Sequence, residues 1–289
     1  MNHPVIFKKS PYEEDRQKPK VSVLMPTYNI AEFLGKAIES ILSQSFKDFE
    51  FVIVDDGSTD DSNRILAEYA KKDDRIRIIK NEQNKGIVYS LNRGLRECRG
   101  EYVARMDADD IALRDRLERQ IAVMEADPNT IVLGAALSYI DRSGKELGVV
   151  RRCSLDKSLI AQNPILHPTV VFRRAILEQH GLSYLEKYRY AEDYFLWLQL
   201  SRLGKIDALD DIVLKYRLSN SATRMRHLKG VLFATLRVKK NGVFCLRIRP
   251  TVSDVLRFFL EGLLLFLPSF LVRYIYLRMI FRKNAKVIL

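Results

Sequence analysis

The stretch VSVLMPTYNIAEFLGKAIESILSQSFKDFEFVIVDD, residues 21–56, holds two short β-branched apolar runs with a helical segment between them. Runs this apolar, with no polar alternation, are those of strands buried on both faces of a sheet. Between them Phe33, Leu34, Ala37, Ile38, Ile41 and Leu42 recur at helical spacing. The unit then repeats. Residues 61–74 (DSNRILAEYAKKDD) read as a helix, 76–81 (IRIIKN) as a third strand, 86–98 (GIVYSLNRGLREC) as a helix and 101–107 (EYVARMD) as a fourth strand. Such alternation specifies a parallel α/β sheet with helices on both faces. Right-handed crossovers bring the carboxyl ends of the strands to one edge, where open α/β sheets bind ligands.

Two of these strands end in crowded carboxylates: Asp55 and Asp56 in VDDGSTDDS, then Asp107, Asp109 and Asp110 in MDADD. Gly57 permits a tight turn, and Ser58, Thr59 or Asp60 can cap the helix that follows. That accounts for residues 57–61 but leaves Asp55 and Asp56 beside the crevice, where carboxylates accept hydrogen bonds from a base N–H or ribose hydroxyls. In DAD an extended backbone turns Asp107 and Asp109 the same way, toward one hard cation such as Mg²⁺ or Mn²⁺ with positions open for phosphate oxygens. The plainer alternative is a solvated acidic turn or a helix N-cap, and Asp110 is expected in a capping or orienting role. On this reading a bound cation makes the crowding tolerable.

From about Leu113 the pattern changes. Residues 114–128 form an amphipathic helical pattern, 130–140 a strand, and 141–145 (DRSGK) a turn. Residues 151–225 read as short helices and loops, including HPTVVFRR (167–174) and AEDYFLWLQLSRLG (191–204). No Pro/Gly/Ser-rich linker interrupts residues 20–225, so they are expected to be one domain, preceded by a polar arm at 1–19.

The formal net charge is +12 over 289 residues. Residues 226–289 carry 13 Lys and Arg against only Asp254 and Glu261, which leaves the body nearly neutral. The same tail is strongly apolar, yet its longest uncharged stretch, Gly262 to Val272, contains Pro268 and falls short of the ~20 residues that span a bilayer. Asp254, Arg257 and Glu261 share one helical face. An amphipathic helix lying in a membrane surface fits better than a span, and basic residues favour an anionic leaflet. The alternative is a helical pair buried in a dimer or against the body. Nucleic acid is not expected as a partner, because the basic residues alternate with long aliphatics rather than with stacking aromatics on a polar surface. Cys98, Cys153 and Cys245 lack disulfide or metal spacing, and the polar start lacks a signal-peptide core, so a cytoplasmic setting is expected.

Taken in order, VSVLMPTYN, ESILSQSFKDFEFVIVDDGSTDDS, NKGIVYSLNRGL, GEYVARMDADD, HPTVVFRR and AEDYFLWLQL resemble the successive blocks of glycosyltransferase family 2 over roughly residues 20–220. Singly, DxD and DDGS are weak; in this order and spacing they are specific. The resemblance implies the GT-A fold, an α/β, Rossmann-like nucleotide-binding mixed sheet flanked by helices, here followed by the amphipathic helical tail. The nucleotide-binding half would cover about 20–112 and the acceptor half about 113–225. It implies transfer of a sugar from a nucleotide-sugar donor, a UDP-sugar first among them, with inversion.

Matched residue by residue, Pro26, Thr27 and Tyr28 correspond to the block lining the nucleobase pocket. Asp55 and Asp56 correspond to the hold on base or ribose, and Lys85 to the basic position near the nucleotide, with Asn84 and Gly86 shaping its loop. Asp107 and Asp109 correspond to the DxD motif, with Asp109 on the metal, and Asp193 to the catalytic base. On its own, Asp193 would read as a helix-start acid favoured by the macrodipole. Glu192, Tyr194 and Arg217 are further candidate contacts to acceptor or diphosphate, while Trp197 and Leu198 read as core. His167 is a packed loop residue, an acceptor contact or an extra metal contact. Ser219 stands where relatives often carry a histidine, which puts a third protein ligand in doubt.

The implied cofactor is a divalent metal, Mn²⁺ or Mg²⁺. The implied acceptor is a saccharide or lipid-linked saccharide, in surface-polysaccharide or lipopolysaccharide assembly at the cytoplasmic membrane face. Two rivals differ in class. A non-catalytic nucleotide-sugar-binding membrane adaptor would be favoured by loss of Asp193 or the DxD pair, and both are intact. A sugar nucleotidyltransferase would carry a Gly-rich phosphate loop with its lysine after the first strand, and none is present.

Overall fold

The structure, a computed structural model, describes residues 18–150, 159–163, 165–218 and 227–282, with side chains described as far as residue 275. The expected alternation opens the chain: β1 (Val21–Thr27), α1 (Ala31–Leu42), β2 (Phe49–Asp55), α2 (Ser62–Ala70), β3 (Ile76–Lys80), α3 (Ile87–Glu97) and β4 (Tyr102–Arg105). A two-residue β5 (Ile111–Ala112), α4 (Arg116–Ala126), β6 (Thr130–Ile140) and β7 (Glu146–Val150) follow. Next come β8 (Val171–Arg173), α5 (Arg174–Gln179), α6 (Glu192–Leu200) and β9 (Lys205–Arg217). The chain closes with α7 (Leu228–Phe244), α8 (Val252–Leu263) and α9 (Ser269–Arg282).

One sheet runs in the order β3-β2-β1-β4-β8-β6-β9-β5, with β7 paired to β6. The first four strands in that order are parallel, whereas β8 is antiparallel to both β4 and β6. The sheet is therefore mixed. Alternate residues of the buried strands point to opposite faces, as period-2 geometry requires. Val21, Val23, Met25, Phe51, Ile53, Tyr102 and Ala104 pack with Leu34 and Ile38 of α1 and Leu117 and Ile121 of α4. Leu24, Val52, Val54 and Val103 face the other way, onto Val88 and Leu91 of α3 and Leu196, Trp197 and Leu200 of α6.

Residues 205–217 are the main departure from the sequence reading, which expected short helices and loops there. They form the thirteen-residue β9, parallel to β6 from Thr130↔Lys205 to Ile140↔Arg217. Asp207, Asp210 and Asp211 broke its apolar pattern. The pairing partner, distant in sequence, is what makes it a strand.

The tail is not a detached appendage. Ala234 and Val238 of α7 share a core with Tyr188, Ala191, Tyr194, Phe195 and Leu198 around α6. A side chain at Gly242 would meet Ile160 Cδ1 at 2.5 Å, so α7 seats closely on this part of the body. Among the described residues no helix is long and apolar enough to cross a membrane.

Gly57 sits at φ +73°, and a Cβ there would lie 2.6 Å from the backbone carbon of Gln83. Both constraints oppose any other residue. Gly57→Ala is expected to destabilise the fold by roughly 1–3 kcal/mol, the scale of a strained left-handed residue, read as a lower urea midpoint. An unchanged midpoint would show that the 55–62 turn relaxes freely.

Candidate functional site

The carboxyl ends of β1, β2 and β4 meet along one edge, as Thr27↔Asp55 and Leu24↔Arg105 fix in the register. At β1, Pro26 is half-buried, Thr27 is buried with its Oγ1 unpartnered among the described residues, and Tyr28 is exposed. The acidic loop after β2 closes over this end. Ser58 Oγ accepts from the amide of Asn29, Ser62 Oγ from Ile30 and Asp60 Oδ2 from Ala31, at 3.0–3.2 Å. Asp60 Oδ1 also accepts from the Ser62 amide. The expected capping by this loop is thus partly spent on the start of α1 rather than on α2 alone, whose N-cap Asp61 makes no side-chain capping bond.

Asp55 is fully buried and accepts from the Ser58 amide at 3.2 Å. Asp56 organises the neighbouring loop. Its Oδ1 accepts from Asn81 Nδ2 at 2.6 Å and the Lys85 amide at 2.9 Å, and its Oδ2 from the Gly86 amide at 2.8 Å. Gly86, at φ +88°, lets the chain turn there into α3, and the Lys85 side chain is left exposed at the edge. Asn81, which the sequence reading passed over, also donates to Ser90 Oγ.

The aspartates after β4 are neutralised from within. Arg105, buried inside β4, grips both oxygens of Asp107 at 2.6 and 2.5 Å. Burial alone would lower the Arg105 pKa, but Asp107 more than offsets it and the pKa lies above its usual value. Arg116, fully buried, bonds the Arg105 carbonyl at 2.7 Å and feels both Asp110 and Asp107. Asp109 is pushed up to about 6 by burial and by Asp107, and Asp110 is likewise held well above the usual carboxylate range by burial, Asp107 and Asp109. Asp110 Oδ1 accepts from the Arg217 amide at 2.9 Å, the expected orienting role, but it caps no helix: the N-cap of α4 is Asp115. The signal for Arg105 was legible as a charge inside an otherwise apolar strand.

Across the crevice α6 begins with Glu192 and Asp193. Asp193 Oδ2 accepts from Asn163 Nδ2 at 2.9 Å. Glu192 is buried, its Oε2 without a partner among the described residues, and burial followed by the Asp193 charge raises its pKa to about 7. Arg105 links the two sides, since its charge acts on Glu192, Tyr184 and His167. Burial and Arg105 together hold His167 well below its usual pKa, hence neutral. Its Nε2 lies 3.0 Å from the Tyr184 hydroxyl and its ring stands edge-on to Trp197. That is the packed-loop alternative, at the crevice floor.

Two candidates are corrected. Tyr194 is 1% exposed and donates its hydroxyl to the carbonyls of Leu159 and Ile160 at 2.6 and 3.1 Å, so it is core rather than an acceptor contact. Arg217 is likewise buried. Its guanidinium bonds the carbonyls of Asp109, Asp141 and Arg142, each at 2.9 Å, and lies over Phe33, which leaves it clamping the loop rather than reaching a phosphate. Trp197 and Leu198 are core, as expected. Ser219 lies outside the described residues.

Among the described residues no three His, Cys, Asp or Glu side chains form a ready cage for a metal ion. The donor chemistry at 107–110 nevertheless suits a hard cation: all-oxygen, with burial and the Asp107 charge raising the pKa of Asp109 and Asp110, and one buried oxygen of Asp110 unpartnered among the described residues. Mg²⁺ commonly binds through one or two carboxylates plus phosphate oxygens and water, and this arrangement fits that pattern.

Residues 22–177 match the model of "Glycosyl transferase family 2". The chain is 36% identical over 213 residues to "Amylovoran biosynthesis glycosyltransferase AmsE" of Erwinia amylovora, covering 71% of this chain and 79% of that one. S. aureus TarS 1-349, solved with UDP-GlcNAc, superposes with a TM-score of 0.64 at 23% identity over 78% of this chain and 66% of its own. The mannosyltransferase PcManGT of Pyrobaculum calidifontis, solved with GDP-Man and Mn²⁺, gives 0.62 at 20% identity over 89% and 72%. These two likenesses bear on the fold, which is GT-A.

The Glu192 geometry gives a stability signature. A carboxyl whose folded pKa is raised contributes stability that is complete below its unfolded value near 4.5 and is lost as pH rises through about 7. Wild type should therefore lose roughly 2–4 kcal/mol relative to Glu192→Gln between pH 4.5 and 8, measured by urea unfolding across that range. Parallel pH profiles for the two proteins would refute the buried-acid assignment.

Proposed function

This chain belongs to glycosyl transferase family 2, and from that membership and the crevice geometry we propose that it is an inverting, metal-dependent glycosyltransferase of polysaccharide biosynthesis. The observation that carries the reading is two carboxylate pairs that share the Arg105 charge: Asp107 and Asp109 at the sheet edge, and Glu192 with Asp193 at the start of α6. The donor is a nucleotide sugar, with UDP the first candidate. To Thr27, Tyr28 and Asp55, at the ends of β1 and β2, we assign the base and ribose. Asp56 holds the loop bearing Lys85, whose free side chain can meet the phosphates.

In an inverting transfer the acceptor hydroxyl attacks the anomeric carbon opposite the leaving nucleoside diphosphate. Asp193 takes the proton of that hydroxyl, a contribution typically worth ~10²–10⁴-fold in rate. Glu192, largely protonated at low pH and ionised above neutrality, donates to or accepts from a sugar hydroxyl beside it. A divalent ion held by Asp109 would neutralise charge developing on the diphosphate. Arg105 fixes Asp107 so that this carboxylate meets the nucleotide in a single orientation.

The tail supports a membrane setting by an inverted amphipathicity. Along α8 the charged edge, Asp254, Arg257 and Glu261, faces the body, while Val252, Leu256, Phe259, Leu260 and Leu263 are exposed, continuing to Phe266 at 86% exposure. A soluble surface helix has the opposite arrangement. With the basic residues around it, this face suits an anionic lipid surface, which would put the crevice near a lipid-linked saccharide acceptor at the cytoplasmic face.

Calorimetric titration of UDP, GDP and dTDP with and without Mn²⁺ tests the site. One nucleotide should bind in a metal-dependent way, Asp109→Ala should abolish that dependence, and Asp193→Asn should keep binding but lose transfer. Binding of none of the three would overturn this reading of the site, whereas metal-dependent binding with no transfer by the wild type would favour the adaptor alternative. For the tail, flotation with phosphatidylglycerol vesicles should carry the protein up in a salt-sensitive manner, and Phe259→Ser with Leu263→Ser should abolish it. A stable dimer that ignores vesicles would assign the exposed face to a second copy instead.

A further inference from the structure

Lys239 and Arg257 of the tail helices both reach one short segment, residues 159–163, and that segment touches the candidate base. Lys239 of α7 is only 3% exposed at its side chain. Its ammonium donates to the carbonyl of Ala161 at 2.7 Å and pairs with Glu261 of α8 at 2.5 Å. Arg257 of α8 bonds Glu261 at 2.9 Å and donates to Gln162 Oε1 at 3.1 Å. The next residue, Asn163, donates to Asp193 Oδ2 at 2.9 Å, and its own Oδ1 accepts from the Ile165 amide. From the other side, the Tyr194 hydroxyl bonds the carbonyls of Leu159 and Ile160. Residues 159–163 are thus clamped between α6, which carries Asp193, and the α7–α8 pair.

The same helices hold the turn that launches α6. Tyr190 has φ +78°, a left-handed backbone that costs a non-glycine residue energy and persists only where the surroundings impose it. The ring of Tyr190 stacks on His227 at 5.3 Å, at the start of α7. A Cβ at Gly230 would press the same ring at 3.3 Å. Arg237 of α7 donates to the Lys187 carbonyl at 3.0 Å, and Asn241 to the Tyr188 hydroxyl at 2.7 Å. Two grips therefore converge on one carboxylate, by the segment before it and by the turn into its helix.

We propose that Asn163 and Lys239 are positioning residues for Asp193, through which the C-terminal helices set the orientation of the catalytic carboxylate. This rests on Asp193 being the base. A buried ammonium that fixes one carbonyl fixes the course of residues 161–163, and Asn163 passes that constraint to one oxygen of Asp193. Misplacement of a catalytic group by about 1 Å can cost ~10²-fold in rate, so loosening either link should act on turnover and spare nucleotide binding, whose residues lie on β1, β2 and β4.

The test uses the full chain and UDP release from the UDP-sugar that binds best, with UDP affinity measured in parallel. Asn163→Ala and Lys239→Met should each lower kcat about 10-fold or more, with KM for the donor and UDP affinity unchanged. The double variant should fall no further than Asn163→Ala alone, because Lys239 acts through Asn163, whereas independent structural damage would add. Hydrogen exchange in Lys239→Met should rise at residues 160–165 and 191–195 and stay unchanged at 81–86. Wild-type turnover in both single variants, alongside an inactive Asp193→Asn, would overturn the proposal. So would equal losses of turnover and UDP affinity, or additive losses in the double variant. If Asp193→Asn itself keeps its turnover, the assignment of the base fails and not the coupling.

Discussion

The crowding of Asp107, Asp109 and Asp110 at the end of β4 is the constraint around which the crevice is arranged. Three carboxylates lie within four residues, and burial together with the Asp107 charge raises the pKa of Asp109 and Asp110. The chain meets this with arginines that are themselves buried: Arg105 on Asp107, Arg116 behind them, and Arg217 with its amide on Asp110 and its guanidinium on the Asp109 carbonyl. Each also ties separate elements together. Arg116 joins α4 to β4, and Arg217 joins the end of β9 to the loops after β4 and β6. The sequence alone suggested that a bound cation must neutralise the cluster. The guanidiniums show that part of the compensation is built in, although no arginine side chain grips the carboxylate of Asp109 or Asp110 directly.

A similar economy governs the loop after β2. Its carboxylates and hydroxyls satisfy backbone amides at the start of α1 and along residues 84–86, donors that would otherwise be left unpaired at a ligand-binding edge. The backbone is rigid there before any ligand arrives, which lowers the cost of ordering it on binding. Acidic loops on this edge thus serve two functions: they shape the crevice and supply its charge.

The tail combines two functions that pull in different directions. Its inner edge joins α7 to α8 through the Lys239–Glu261 ion pair and hydrogen-bonds to residues 161–162 of the body, and its outer face exposes aromatic and aliphatic side chains. Buried ion pairs contribute little net stability because desolvation offsets attraction. Their value here is geometric, since they fix α7 and α8 against residues 159–163 while the outer face stays available.

Much of this was legible in the residues. The continuous apolar runs of β1, β2 and β4 and the 3.6-residue period of α1 and α3 determined the parallel part of the sheet, because local sterics and burial act within a window of ten residues. The carboxylates at strand ends followed from the same reading, since strand direction alone puts them on one edge. What the sequence could not decide was anything that depends on a partner distant in the chain. The acidic residues of β9 hid a strand that exists only because β6 lies beside it. Tyr194 and Arg217 looked available for ligands until their polar atoms were found bonded to backbone carbonyls. Nothing in AQNP marks Asn163 as the neighbour of Asp193, thirty residues on. Local periodicity is written into consecutive residues, whereas the pairing of buried charges is fixed only when packing removes water from both partners at once.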